Sequence, residues 1–235
     1  MRIEMAALRR RAAVHAALAE PARLAVVEML ALGDASPSEL GKALEMPSNL
    51  LAHHLRVLEK AGMIDRVRSE ADHRRIYVRL TSVAFAGSLP AAALRAPRAR
   101  RVVFVCTYNS TRSPLAAALW RKYSQIPVAS AGTRPHRRVH QRAVTTARRH
   151  GLALDANSTA HVRDVVRADD LIIVVCDNAY EELGRNPRRL HWSVPDPAQH
   201  DTYEAFEAAF NDLKARVERL AAAVDRPFPS SAATI

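Results

Sequence analysis

Only two cysteines, Cys106 and Cys176, occur among the 235 residues. That is too few for a disulfide-built secreted scaffold, and a reducing, cytoplasmic setting is expected. No apolar run approaches the roughly 20 residues that a membrane-crossing helix needs. The early arginines are not followed by the apolar core of an export signal, so neither membrane nor secretion is expected. Residues 1–99 hold no cysteine at all, residues 82–95 hold neither histidine nor carboxylate, and no segment repeats at a fixed period. Against these absences stands an excess of positive charge, 35 Lys and Arg over 24 Asp and Glu, for a net charge of +11. Such a balance points to polyanions such as DNA, or to phosphate-like substrates. With 49% apolar and 25% charged residues the chain is globular, and it is long enough for one large or two small cores.

Composition divides the chain near residue 90. Residues 82–99 are rich in Ala, Pro and Arg, reading as a short helix and then a linker broken at Pro90 and Pro97. Two domains are therefore expected, at 5–95 and 100–225.

In the first, Pro21 can open a helix in which Leu24, Val27 and Leu30 follow at helical spacing. Ser36-Pro37-Ser38-Glu39 starts a second helix reaching Leu44. Pro47-Ser48 caps a third, running over 49–61 and ended by Gly62, with Leu51, Leu55 and Leu58 as its buried stripe. Two strand-like runs follow, at 63–69 and 74–80, joined by the polar turn Glu70-Ala71-Asp72-His73. Helices followed by a basic hairpin make a mainly α winged helix-turn-helix.

The second domain alternates strands at 101–105, 128–130, 170–175 and 190–194 with helices at 113–124, 141–150 and 202–224. The last helix places Phe206, Phe210, Leu213, Val217 and Leu220 at steps of four and three. The expected fold is α/β with a doubly wound parallel sheet.

The run Cys106-Thr-Tyr-Asn-Ser-Thr-Arg112-Ser113 stands at the end of an apolar strand and opens a helix at Ser113-Pro114. A strand end, a small polar loop and a helix N-terminus aim backbone N–H groups at one point, which favours an anion. Arg112 adds a bidentate fork suited to phosphate or arsenate. The same field stabilises a thiolate, making Cys106 the candidate nucleophile, with Ser113 able to donate a hydrogen bond to it. Asn109 suits the left-handed backbone of a tight loop. Thr107, Tyr108, Ser110 and Thr111 complete the candidate oxyanion-binding loop.

The segment Ser38-Glu-Leu-Gly-Lys-Ala-Leu-Glu-Met-Pro-Ser-Asn-Leu-Leu-Ala-His-His-Leu-Arg-Val-Leu-Glu-Lys-Ala-Gly-Met-Ile64 resembles the ArsR family of bacterial repressors. The resemblance implies a homodimer on a double-stranded operator, with the third helix in the major groove and the hairpin as wing. On that helix Ser48, Asn49, Ala52, His53 and Arg56 face outward to bases and phosphates. Arg66, Arg68, Arg74, Arg75 and Arg79 belong to the wing, where phosphate contacts position without reading sequence. The adjacent pair His53-His54 does not share a helix face, so no metal site is expected. Relatives sense arsenite or metals through cysteines near the DNA-binding helices, or through His and carboxylate pairs on the terminal helix. Those residues are missing here, so the signal must come from elsewhere.

The region 100–225 resembles the low-molecular-weight protein-tyrosine phosphatase fold, shared with thioredoxin-type arsenate reductases. The likeness rests on the loop, on Ser130-Ala-Gly-Thr133, on Gly151-Leu152 and on Asp196-Pro197. It implies that Asp196 is the general acid or base. His191-Trp192-Ser-Val-Pro-Asp196-Pro197-Ala198 is similar to the reductase form, whereas phosphatases commonly follow Asp-Pro with aromatics. Cys176 matches a second redox cysteine, or is a small buried hydrophobe at a strand end. The third cysteine of a full relay is replaced by Leu183, and a Glu common in reductases by Ala117.

Three functions follow as alternatives. The first is a regulator fused to an arsenate reductase, with no bound cofactor and Cys106 regenerated through Cys176 or by an external thiol reductant. The second is a regulator fused to a phosphatase acting on phosphotyrosine or a small phosphate ester. The third is a non-catalytic oxyanion or redox sensor that controls DNA binding.

Overall fold

The computed structural model describes residues 4–85, 99–186 and 188–224. In the first half, α1 (Met5–Leu18) and α2 (Pro21–Leu30) precede α3 (Pro37–Ala43) and α4 (Ser48–Lys60), and the hairpin of β1 (Ile64–Arg68) and β2 (Ile76–Leu80) follows. Ser36 and Glu39 form a reciprocal capping box that starts α3. Ser48 does not cap α4; it is already the first helical residue, because Pro47 sets the entry with no side-chain cap. Gly62, at φ 72°, ends that helix in the left-handed region a side chain resists. Leu51, Leu55 and Leu58 are buried with Val26, Val27, Leu30 and Leu40. Of the predicted stripe of α2, Val27 and Leu30 are buried together with Val26, while Leu24 is exposed. The strands are shorter than their patterns, leaving a turn over 69–75 that includes Arg74 and Arg75. α5 (Ser82–Phe85) begins the predicted short helix, and the expected linker falls outside the described residues.

The second half holds β3 (Val102–Cys106), α6 (Arg112–Tyr123), β4 (Val128–Gly132), α7 (Gln141–Arg149), α8 (Val162–Val165), β5 (Leu171–Val174), α9 (Asp177–Leu183), β6 (Arg189–His191) and α10 (Tyr203–Val224). The four strands form a parallel sheet in the order β4-β3-β5-β6. The chain leaves β3 for β4 on one side and later returns to β5 on the other, so the end of β3 is the switch point where open sheets hold ligands. β3 and β5 are buried along their whole length, as β-branched runs covered on both faces must be. α10 packs on α6 and α7 and buries Phe206, Phe210, Leu213, Val217 and Leu220. The predicted strand at 190–194 is found at Arg189–His191, and Trp192 beyond it donates its indole N–H to the first half.

The two halves are packed together. Tyr77 of β2 is buried in the same cluster as the sheet of the second half. Trp192 Nε1 donates to the Leu32 carbonyl at 2.7 Å, and Asp34 N donates to the His191 carbonyl at 2.7 Å. Asp34 also accepts from Ser193 N and pairs with the buried Arg216 at 2.9 Å. A buried charge is tolerated only when paired and hydrogen-bonded, and Asp34 is both.

Candidate active site

β3 ends on Cys106 and the following turn delivers Arg112 as the first residue of α6. Asn109 adopts φ 49°, the left-handed conformation that its short polar side chain tolerates. Its amide holds the loop closed: Nδ2 donates to Ser113 Oγ at 2.9 Å, and Oδ1 accepts from Ala160 N at 2.8 Å. The loop rests on Gly132, where an added Cβ would lie 2.8 Å from the Thr107 carbonyl oxygen and 2.9 Å from Asn109 N. The carbonyls of Cys106, Thr107, Tyr108 and Ser110 accept from the N–H groups of Thr133, Arg134, His136 and His140. In a trans peptide C=O and N–H point opposite ways, so the N–H groups of Thr107, Tyr108, Asn109 and Thr111 are turned away from those outer partners.

Cys106 Sγ lies 3.1 Å from Ser113 Oγ, which also contacts the Ala131 carbonyl at 3.2 Å. The single hydroxyl proton therefore has two destinations. With a thiol it goes to Ala131, and with a thiolate it turns to sulfur. Arg112 is 3% exposed; its Nη2 pairs with Asp196 Oδ2 at 2.9 Å, and its Nη1 donates to the Val194 carbonyl at 3.0 Å. Burial alone would lower the Arg112 pKa, but Cys176, Asp196, Cys106 and Glu70 outweigh it and the net shift is upward. Asp196 caps the short 3-10 turn Pro197–Gln199 by accepting from Ala198 N. Asp196, 84 positions along the chain from Arg112, is thus brought to the loop of residues 106, 112 and 113.

The family model described as low molecular weight phosphotyrosine protein phosphatase matches residues 101–229. The chain belongs to this family. In front of its phosphatase-type domain it carries an ArsR-type helix-turn-helix, matched by a helix-turn-helix domain model over residues 18–67. Among curated relatives, an arsenate reductase of Brevibacillus brevis is 31% identical over 52% of this chain and 94% of its own length. Arsenate reductase 1 of Bacillus cereus is 29% identical, with the same two coverages. A solved tyrosine phosphatase of Erwinia amylovora shares the fold at a TM-score of 0.50 and 23% identity, covering 56% of this chain and 97% of its own.

Within the phosphatase-type domain, Cys176 is buried as the residue before α9, 3.4 Å from Thr107 Oγ1. Burial pushes its thiol up to about 11, against the pull of Arg112. In the helix-turn-helix half, Ser48, Asn49, Ala52, His53 and Arg56 are exposed along α4, while His54 is buried beside Glu20. Four wing arginines meet carboxylates of the chain: Arg66 with Glu59, Arg74 with Asp72, Arg75 with Asp72 and Glu181, Arg79 with Asp65. Arg68 is exposed on β1.

Sequence reasoning passed over Glu70, read as one of four polar turn residues. In the structure it reaches Arg112 Nη1 at 3.2 Å. A carboxylate at the tip of an arginine-rich hairpin was the available signal, and nothing local said what it would face.

Proposed function

We propose that the protein is a DNA-binding regulator joined to a thiol-dependent oxyanion enzyme, and that its reaction is arsenate reduction. The observation that carries this reading is the meeting of Cys106, Ser113, Arg112 and Asp196 around one loop. The likeness to arsenate reductases over the whole of that domain supports arsenate as the oxyanion.

Each residue then has a role. The inward N–H groups of the loop and the Arg112 guanidinium bind the oxyanion. Ser113 turns its proton to Cys106 Sγ and holds the thiolate. That sulfur attacks As(V); an S–As bond forms, an As–O bond breaks, and Asp196 protonates the departing oxygen so that water leaves. A second thiolate then attacks Cys106 Sγ. The S–As electron pair goes to arsenic, arsenite departs, and the two sulfurs form a disulfide that a further external thiol reduces. Cys176 is the internal candidate for the second thiol, but burial keeps it protonated near neutral pH. An external small thiol ionises in water without that burial cost, and we assign it the step.

Aryl phosphate hydrolysis is the second reading. Tyr108, 39% exposed on the loop and stacked on His136 at 4.3 Å between ring centroids, supports it by offering an aromatic face where Ala198 and Gln199 do not. Cys106 would then carry a phosphocysteine that water hydrolyses.

For the regulator half, the α4 face of Ser48, Asn49, Ala52, His53 and Arg56 reads an operator as a homodimer, with Arg66, Arg68, Arg74 and Arg75 near phosphates.

The test is to incubate the full chain with arsenate and thiol donors, and separately with an aryl phosphate. Arsenite release is expected, and Cys106→Ser should abolish it while Cys176→Ser retains it. Phosphate release without arsenite would replace the first reading by the second. Activity persisting in Cys106→Ser would remove the nucleophile from both.

A further inference from the structure

The tip of the wing is held by the catalytic site through one residue. Glu70 Oε2 accepts from Arg112 Nη1 at 3.2 Å, and Glu70 Oε1 accepts from Asp196 N at 2.9 Å. Its own N–H donates to Asp177 Oδ2 at 2.9 Å, on the residue that follows Cys176. The neighbouring Ser69 hydroxyl donates to Glu181 at 2.7 Å, and the Tyr77 hydroxyl donates to the same carboxylate at 3.1 Å. The base of the turn is therefore fastened independently of the Glu70 side chain.

The carboxylate of Glu70 is chemically an oxyanion. Each of its oxygens takes one donor, a guanidinium N–H and a backbone N–H, as a bound phosphate oxygen would. Arg112 divides its Nη groups among Glu70, Val194 and Asp196. A bidentate grip on an oxyanion in the loop requires at least one of those groups to turn away, and Glu70 is the partner contributed from outside the catalytic domain. A dianion entering beside Arg112 also repels a carboxylate on the same guanidinium.

We infer that Glu70 is an internal competitor for the oxyanion site, so that occupancy of the 106–113 loop and docking of the wing tip oppose each other. This rests on the loop being the oxyanion site, as proposed above. Displacement of Glu70 frees its side chain between Arg68 and Arg74, in the hairpin assigned to DNA phosphates. Linkage is reciprocal: whatever draws the wing tip off the site, duplex DNA included, raises oxyanion affinity by the same factor by which the oxyanion loosens the wing. A DNA reader without a sensor of its own thereby gains one through a single carboxylate.

The test titrates the reduced full chain with inorganic phosphate by calorimetry at constant ionic strength, in wild type, Glu70→Gln and Glu70→Ala. Removing the competing charge should lower the phosphate Kd on the order of tenfold. The amide of Asp196, isolated between Pro195 and Pro197, should lose protection from hydrogen exchange when phosphate binds the wild type. Two variants of different size keep the test alive if one fails to fold, the fold being checked by circular dichroism. Wild-type binding with no tightening in a folded variant overturns the inference and leaves the loop as an oxyanion site. Failure of all three forms to bind phosphate or arsenate overturns both.

Discussion

Gly132 shows how one residue can set the geometry of a site it does not belong to. The loop carrying Cys106 crosses within 3 Å of where a side chain at 132 would begin, and the two nearest atoms it would meet are backbone, which cannot rotate aside. Gly132→Ala should cost about 1–3 kcal/mol, the usual scale of overpacking in a tight interior. It should also weaken phosphate binding, because the displaced atoms are Thr107 O and Asn109 N of the loop itself. Urea unfolding and phosphate calorimetry read the two effects; a stable variant with unchanged affinity would show that the loop tolerates the shift. Asn109 and Gly132 together hold the backbone, while Arg112 and Ser113 supply the charge and the proton. Of these, Asn109 was readable because few residues accept a left-handed turn, whereas the closeness of Gly132 to the loop exists only after β4 pairs with β3.

Among the elements, α4 was the most legible. Its leucines at 51, 55 and 58 recur on one face, and the structure buries that face and leaves residues 48, 49, 52, 53 and 56 outside. Arg56→Ala removes one cation from the outward side without touching the core. It should lower affinity for a random-sequence duplex and reduce the slope of log affinity against log salt by about 1. An unchanged slope in a salt titration would take Arg56 away from the phosphates. The wing was less legible. Alternation indicated two strands, but not that the turn between them would lengthen to 69–75 or that Arg66, Arg74, Arg75 and Arg79 would meet carboxylates of the chain. Ion pairs such as Arg75 with Glu181 join positions far apart in sequence, where spacing carries no information. α8 and α9, of four and seven residues, also escaped notice, being too short to show a period.

At the scale of the molecule, the halves share an interface studded with ionisable groups. Glu39 accepts from the Tyr180 hydroxyl at 2.6 Å, and Asp177 pairs with His191 at 2.9 Å and accepts from Glu70 N. Burial would raise both carboxyl pKa values, but the donors win: Tyr180 and Ser36 for Glu39, His191, Glu70 and Ser193 for Asp177. Both end below their ordinary values of 4.5 and 3.8. A carboxyl depressed in the folded state adds stability that is present above its ordinary pKa and lost as pH falls through the depressed one. The urea midpoint should therefore drop as pH falls below about 4, and Asp177→Asn should flatten that fall. Trp192, bonded across the interface to Leu32, is one of the two tryptophans whose fluorescence reports unfolding. A midpoint independent of pH from 6 to 3 would exclude these carboxyls from the docking.

The linear chain alone determined the two domain types, the parallel sheet, the amphipathic helix α4 and the Cys106–Arg112–Ser113 loop, because each rests on short-range periodicity or on a motif contained within a few residues. Asp196 was singled out by the family resemblance, through its Asp-Pro pair. Whether the domains are merely tethered or joined was decided only by tertiary structure. Tyr77 in the second core, Asp34 on Arg216 and Glu70 on Arg112 each unite residues separated by tens of positions, and such contacts depend on how two finished surfaces fit.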